Sequence, residues 1–485
     1  MVNNLYNILK SKFLLILLFI ILFFGGFFVR LYKFSNPIAD WHSWRQSDTS
    51  AVSRFFVNEG FDYLHPKYYD ISNIQTGHQN PKGYRFVEFP LYNFFQASLY
   101  KALPVLTLEE WGRVVSIIAS LSTALFLFLL LRKYSGLVAA FAASFFYLFL
   151  PFSIYYGRTI LPDTTMVAAS FAGIYFFDRY LSSTKTKWKI MFFILAAIFS
   201  LASLLLKPFA AFYLLVQLYI VIQKHKFALL RKWELYIYPI IVVLPLVLWR
   251  MWLSHFPEGV PASMWLLNGD NIRFKGAFFF WIFGERISKL IFGYFGAFFV
   301  LLGILKQERE KNYFLSFSFL IAIVLYITIV AKGNVQHDYY QIVILPVLCL
   351  FAGRGISFLL SLRGINKAVG IVICSVVIFL TFSLSWFYVR DFFNINNEAV
   401  VIAGVKADEV LPKNARVIAP YGGDTTFLYY INRQGWPALV DTPENLKRLG
   451  ATHMVLVNPT TQDFEGFGKM YTIVSSSDTY LILQL

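Results

Sequence analysis

KFLLILLFIILFFGGFFVR, residues 12–30, decides the fold: no charge interrupts it between Lys12 and Arg30. About 20 apolar residues in helical form cross the hydrocarbon core of a bilayer. The run follows Lys10 and Lys12 and stops at Arg30, Tyr32 and Lys33, with no small-residue cleavage signal behind it. It therefore reads as a retained first membrane helix with a cytoplasmic N-terminus, not as a removed leader.

Working outward, similar runs recur near 111–131, 137–156, 162–179, 190–206, 209–223, 235–253, 288–305, 313–331, 340–360 and 368–388. Together they predict a polytopic α-helical membrane protein of about eleven spans. The composition agrees: 58% of residues are hydrophobic and 14% charged, which leaves too few polar side chains to cover a soluble chain of 485 residues. Phe occurs 53 times and Tyr 29 times, an excess suited to lipid-facing and interfacial positions.

The formal net charge of +16 does not point to nucleic acid, because much of it lies in short clusters between the apolar runs. With the N-terminus inside, the inner loops hold Arg132 and Lys133; Arg179, Lys185, Lys187 and Lys189; Lys224, Lys226, Arg231 and Lys232; Lys306, Arg309 and Lys311; and Arg363 with Lys367. Each inner loop is basic, as the positive-inside rule requires. An odd number of crossings then puts the C-terminal segment outside, in the periplasm of a bacterium whose inner membrane holds the chain. The two cysteines, Cys349 and Cys374, lie in apolar runs and supply neither a disulfide framework nor a metal site.

Residues 1–391 thus read as a transmembrane domain with an outer loop at 31–110, and 392–485 as a small α/β domain outside the membrane. In the latter, Asn397–Val410 and PENLKRLG (443–450) predict helices, with Gly450 closing the second. ARVIAP (415–420) and THMVLVN (452–458) predict strands, and YTIVSSSDTYLILQL (471–485) a terminal hairpin. Thr425–Ile431 suits either helix or strand. No glycine-rich phosphate loop and no internal repeat is present.

Chemistry is densest in DWHSWRQSDT, residues 40–49, about ten residues beyond the first span. A carboxylate at the outer face can take a proton from an acceptor hydroxyl, and Asp40 is the first candidate base. Asp48 is a second carboxylate suited to positioning the acceptor or organising the loop, and Glu88 to holding an acceptor, binding a divalent metal or pairing with a basic residue; both join Asp40 as catalytic candidates. Arg45 presents a planar fork for a phosphate oxygen, and His42 and Trp44 flank it as substrate-binding candidates. The same segment also reads as interface anchors, Trp41 and Trp44, and a helix cap, Asp40. The stretch from EFPLY (88–92) to Lys101 resembles an interfacial helix more than a crossing.

Further outer candidates are Arg158, Asp163, Lys207, Lys332, His337, Asp338, Tyr339 and Tyr340. Lys207 sits between two apolar runs, where a charge is costly unless paired or facing a polar cavity. A lipid-carrier phosphate is one partner for Lys207 or Arg158; a snorkelling lysine is the plain reading. Metal use stays open, with Glu88 and His337 as candidate ligands of a divalent ion and no certain cofactor. An outer site has no access to cytoplasmic nucleotide sugars, so a lipid-phosphate-linked donor fits it better.

The motifs in order, Asp40 with WRQSDT (44–49), EFPLY (88–92), RTILPD (158–163), KPF (207–209), HDYYQIVILP (337–346) and LYYINRQGW (428–436), resemble those of the GT-C glycosyltransferases. The chain is similar in particular to bacterial relatives of the dolichyl-phosphate-mannose protein mannosyltransferases and of the lipid A aminoarabinose transferase. The resemblance implies transfer of a sugar from a polyprenyl-phosphate carrier to a lipid, glycan or protein acceptor, with Asp40 as base and inversion at the anomeric carbon. It implies donor or metal contacts for Arg158, Lys207 and His337; Asp163, Asp338 and Tyr340 are further substrate-binding candidates. Two features depart from the family: fewer crossings, and first-loop acids that are not adjacent. The competing readings are a flippase for a lipid-linked glycan, a glycan polymerase or ligase, and an assembly protein that would not need Asp40.

Overall fold

The structure, a computed structural model, describes residues 12–306, 313–362 and 364–485. Lys10, Arg309, Lys311 and Arg363, used above to orient the spans, lie outside the described residues. The chain forms two compact units. The first comprises residues up to Phe34, Val114–Leu246 and Ser263–Asp391; the second Ser35–Arg113, Val247–Ala262 and Phe392–Leu485.

The first unit is helical, as backbone surrounded by lipid must be. Five stretches among the described residues are long and apolar enough to cross a bilayer: Lys12–Val29, Leu108–Tyr134, Thr186–Leu206, Glu234–Leu253 and, within Lys367–Val410, the Lys367–Val389 helix. Leu137–Phe149, Leu315–Ile329 and Leu345–Ser361 are apolar but shorter. The protein is a multi-pass membrane protein. The eleven spans of the hydropathy reading are not each a single helix. The 288–305 stretch, for example, starts in the wide-turned Phe280–Ile291 segment and resumes as Ala297–Leu305.

The 137–156 stretch breaks for a local reason. Pro151 has no N–H, so the Tyr147 carbonyl loses its helical donor, and Leu150 takes the extended conformation that a following proline favours (ψ 129°). Helix resumes as Pro151–Tyr156. The buried Arg30 guanidinium serves the gap: it donates to the carbonyls of Leu148 at 2.8 Å and Tyr147 at 3.4 Å, to Ser153 Oγ at 3.2 Å and to the Gly26 carbonyl at 2.8 Å. The charge that ends the first apolar run thus satisfies backbone groups that would otherwise be orphaned in an apolar setting.

Small residues let the helices approach closely. A Cβ on Gly303 would overlap the Phe351 carbonyl oxygen, and one on Gly355 the Phe299 carbonyl oxygen, so Ala297–Leu305 and Leu345–Ser361 meet backbone to backbone. Gly303→Leu is expected to cost about 3 kcal/mol through overpacking. Thermal unfolding in detergent checks this, with Gly364→Ala as the control, since nothing lies within 4 Å of that position. Equal melting of the two variants would contradict the tight contact.

The second unit is built on a five-stranded sheet of order β2-β1-β3-β5-β4. Its strands are β1 Val417–Ile418, β2 Gly435–Trp436, β3 His453–Val457, β4 Thr472–Ser476 and β5 Tyr480–Gln484. β1 runs parallel to β2 and β3; β5 is antiparallel to β3 and β4. The apolar side chains of HMVLV and YLILQ give it a core with Ile418, Trp436, Leu446, Met454, Leu481 and Leu483. Ile71, from the Ser35–Arg113 segment, joins that core. Its backbone N–H donates to the Gly435 carbonyl at 3.0 Å, and the Gly435 N–H to the Tyr69 carbonyl at 2.9 Å. Residues 35–110, read from the sequence as a loop of the membrane portion, therefore fold together with the C-terminal segment.

Candidate active site

In the second unit, residues 39–41 lie against 392–396. The Trp41 N–H donates to the Phe392 carbonyl at 3.2 Å, the Asn396 N–H to the Ala39 carbonyl at 2.7 Å, and the Trp41 ring stacks on Phe392 with centroids 4.9 Å apart. His42 then takes a left-handed conformation (φ 55°, ψ 36°) and starts the Ser43–Glu59 helix. This turn folds Asp40 back over the first helical turn. Its carboxylate is buried and Oδ1 accepts from Gln46 Nε2 at 2.7 Å. The N-cap position of the helix is held by His42.

One turn on, the other candidates face charges. Arg45 and Glu88 form an ion pair, both largely buried. Asp48 Oδ2 lies 2.6 Å from Arg85 Nη2, and its Oδ1 accepts from Thr425 Oγ1 at 2.7 Å. The Arg85 guanidinium also lies 4.8 Å from the Tyr68 ring centroid and donates to Gln75 Oε1. Asp40 accepts from the Gln46 amide, and Asp48 and Glu88 each oppose a guanidinium.

The Ser43–Glu59 helix is unusual in burying Ser47, Thr49, Ser50 and Ser53. Each finds a polar partner. Ser50 Oγ is 2.9 Å from the Tyr429 hydroxyl, Ser53 donates to Gln96 Oε1 at 2.7 Å, and Asn93 Nδ2 donates to the Thr49 carbonyl at 2.6 Å. Tyr429 in turn contacts Arg54, whose guanidinium lies 3.8 Å from the ring centroid and 2.8 Å from Glu109 Oε1. A polar helix buried this way is held by hydrogen bonds more than by apolar packing.

Asp70 is a third buried acid here. Its Oδ1 accepts from the Ser72 N–H at 2.8 Å. Burial, with the Asp48 charge nearby, pushes its carboxyl up to about 6, against smaller opposing effects from Ser72 and Arg85. Burial raises Asp424 as well. The folded unit therefore holds the Asp70 proton at a pH where the unfolded chain has released it. That contribution is full below about pH 4 and is lost as pH rises through 6. Wild type is expected to lose about 3 kcal/mol across this window relative to Asp70→Asn. Melting curves of the two proteins at pH 4.5 and 7 test it, and parallel behaviour would refute the buried proton.

The other candidates belong to the first unit. Asp163, in the first turn of the Pro162–Ser182 helix, is fully buried and its Oδ1 lies 2.6 Å from Lys207 Nζ. Lys207 follows Thr186–Leu206, and its ammonium lies 5.4 to 5.8 Å from the ring centroids of Tyr340, Tyr339 and Phe209. Carboxylate and aromatic faces together hold this charge at the end of an apolar helix. The His337 ring stacks on Tyr339 at 5.3 Å. Asp338 accepts from the Tyr156 hydroxyl at 2.5 Å and lies 3.9 Å from Arg286. Arg158 donates to the Lys33 carbonyl at 2.8 Å, and the Lys332 ammonium meets Asp270 at 2.6 Å on the surface.

The sequence reading named Asp163, Lys207, His337 and Tyr340, and the structure brings them together. Gln46, Arg85, Thr425, Tyr156 and Arg286 escaped it. Arg85, three residues before Glu88, was the nearest to a visible signal. Glu88 belongs to the second unit and His337 to the first. Among the described residues no group of three or more His, Cys, Asp or Glu side chains is placed to hold a metal ion.

Comparison with known proteins agrees with this architecture. Residues 90–252 match the family profile described as dolichyl-phosphate-mannose-protein mannosyltransferase. No curated protein sequence matches. The fold is similar to that of ArnT from Cupriavidus metallidurans bound to undecaprenyl phosphate, with a TM-score of 0.65, 12% identity and 98% of each chain covered. Its apo state gives the same TM-score over 96% of this chain and 97% of that one. The Archaeoglobus fulgidus oligosaccharyltransferase in complex with Zn and sulfate is similar at a TM-score of 0.58 and 12% identity, over 93% of this chain and 69% of that one. The chain has the GT-C fold and resembles these glycosyltransferases.

Proposed function

We propose that the protein is a GT-C glycosyltransferase that moves a sugar from a polyprenyl-phosphate carrier to a hydroxyl on a lipid, glycan or protein acceptor. The observation that carries this reading is the fold shared over 98% of both chains with a transferase solved with undecaprenyl phosphate. In this reading the Asp40 carboxylate takes the acceptor's proton. The acceptor oxygen bonds to the anomeric carbon, the bond from that carbon to the phosphate oxygen breaks, and the carrier phosphate leaves with the electron pair.

The Gln46 amide orients Asp40. Asp48 and Glu88 serve as supporting acids by holding Arg85 and Arg45 in place. His42 and Trp44 frame the acceptor side. In the membrane unit, Lys207, Arg158 and His337 are assigned to the donor headgroup, with Asp163, Asp338 and Tyr340 ordering them. The reaction is placed on the periplasmic face of a bacterial inner membrane, with the N-terminus in the cytoplasm. The likeness to an oligosaccharyltransferase favours a second reading, a lipid-linked oligosaccharide as donor.

The test is a transfer assay with purified protein, a panel of polyprenyl-phosphate sugars and oligosaccharides, and envelope lipids as acceptors, read by mass. One donor is expected to add its sugar mass to an acceptor. Hydrolysis or inactivity with every donor would sink the reading, and transfer from oligosaccharide donors alone would select the second.

A further inference from the structure

Two helices of the membrane unit carry a charged pair at each end. At one end lie Asp163 and Lys207, and at the other Asp178, in the Pro162–Ser182 helix, and Lys189, in the first turn of Thr186–Leu206. At about 1.5 Å per residue the two ends are about 22 to 27 Å apart, so the second is not part of the donor site.

At that second end the buried Asp178 carboxylate is already taken. Lys133 Nζ lies 2.8 and 2.6 Å from its two oxygens, and the Tyr134 hydroxyl donates to it at 2.5 Å. The Lys189 ammonium lies 5.5 Å from the ring centroid of Tyr180, in the same helix as Asp178, and Lys224 feels the charges of Lys189, Lys133 and Lys232 against that of Asp178. Among the described residues no ion pair involves Lys189, Lys224 or Lys232. Glu234 stands nearby and offsets one charge. Three helix ends and one loop thus deliver a cationic surplus to one spot.

The flank of that spot is apolar and exposed. Trp233 is 70% exposed, Trp188 47% and Ile190 56%, and Ile194 and Ile222 continue the face along the helices. A soluble anion would leave this face unused. A phospholipid would place its phosphate among the ammonium groups and its chains against the isoleucines, with the indoles at headgroup depth.

We propose that Lys189, Lys224 and Lys232, backed by the Lys133–Asp178 pair, form a binding site for the phosphate of an anionic phospholipid. The site stands apart from the transfer reaction and uses none of its residues.

Native mass spectrometry of the detergent-purified protein, with phosphatidylglycerol or phosphatidylcholine added, tests it. Phosphatidylglycerol is expected to be retained in preference, and its retention to fall about tenfold or more in Lys189→Ala/Lys224→Ala/Lys232→Ala. The corresponding triple arginine variant should keep it, as should Lys185→Ala/Lys187→Ala in the neighbouring exposed turn. Millimolar glycerol 3-phosphate should not displace it. Equal retention by the triple alanine variant, or equal loss in the Lys185/Lys187 variant, overturns the site. Displacement by glycerol phosphate overturns the lipid as its ligand in favour of a soluble anion. If the alanine variant does not fold, the arginine variant decides: loss of phosphatidylglycerol with charge preserved also overturns the proposal.

Discussion

Asp40→Asn is expected to lower sugar transfer by about a thousandfold, the usual contribution of a positioned general base. The amide is nearly isosteric and still accepts from Gln46 Nε2, which sits 2.7 Å from Oδ1 in the native site. The left-handed turn at His42 and the contacts of residues 39–41 with 392–396 do not depend on the charge. Folding and donor affinity should therefore be retained while turnover falls. Turnover and donor retention measured on the same preparation separate the effects. Asp40→Glu should recover part of the rate, since it restores a base at a displaced position. Turnover by the asparagine variant equal to wild type would remove Asp40 from the role of base.

Arg85→Met is expected to destabilise the second unit by about 3–5 kcal/mol, because it leaves the Asp48 carboxylate buried and unneutralised. Asp48 would keep the hydrogen bond from Thr425 Oγ1, at 2.7 Å, and lose the Arg85 guanidinium. The double change Asp48→Leu/Arg85→Met should recover most of the loss, since removing both charges also removes the desolvation they require. Thr425→Val should cost about 1 kcal/mol, the net value of one buried hydrogen bond. Thermal melts of wild type, Asp48→Leu, Arg85→Met and the double variant give the coupling. A wild-type melt for Arg85→Met would mean that this pair does not hold the Ser35–Arg113 segment in the unit.

The parts of the fold legible in the sequence are those with a local cause. Apolar runs without charge give helices because lipid leaves the backbone no other partner. HMVLV and YLILQ read as strands, and PENLKR as a helix, because pattern and capping lie within a few residues. β2, two residues long, escaped because Gly435 and Trp436 form a strand only through their neighbours Val417 and Tyr69. The run 137–156 reads as one span, and the structure breaks it at Leu150 and Pro151. That Arg30 would mend it was invisible, since 118 positions separate Arg30 from Leu148.

The candidate site divides the same way. Asp40 and Gln46, six residues apart, lie in one motif. Asp48 and Thr425 are 377 positions apart, and no periodicity connects them. The sequence could suggest which side chains carry chemistry. It could not say that Gln46 would lie 2.7 Å from Asp40, or that Asp48 would oppose Arg85 and Glu88 oppose Arg45.

The second unit is stitched from three pieces of chain, and the third leaves the ribosome only after the membrane helices. Until Gly435 is made, Tyr69 and Ile71 have no strand to bind, and until Thr425 is made Asp48 keeps an open valence. The Ser35–Arg113 segment must wait through the synthesis of some 300 residues, the membrane helices among them, before it can mature. A stop codon anywhere before residue 417 would therefore strand the polar helix at 43–59 and expose it to quality-control proteases, however well the helices upstream had inserted.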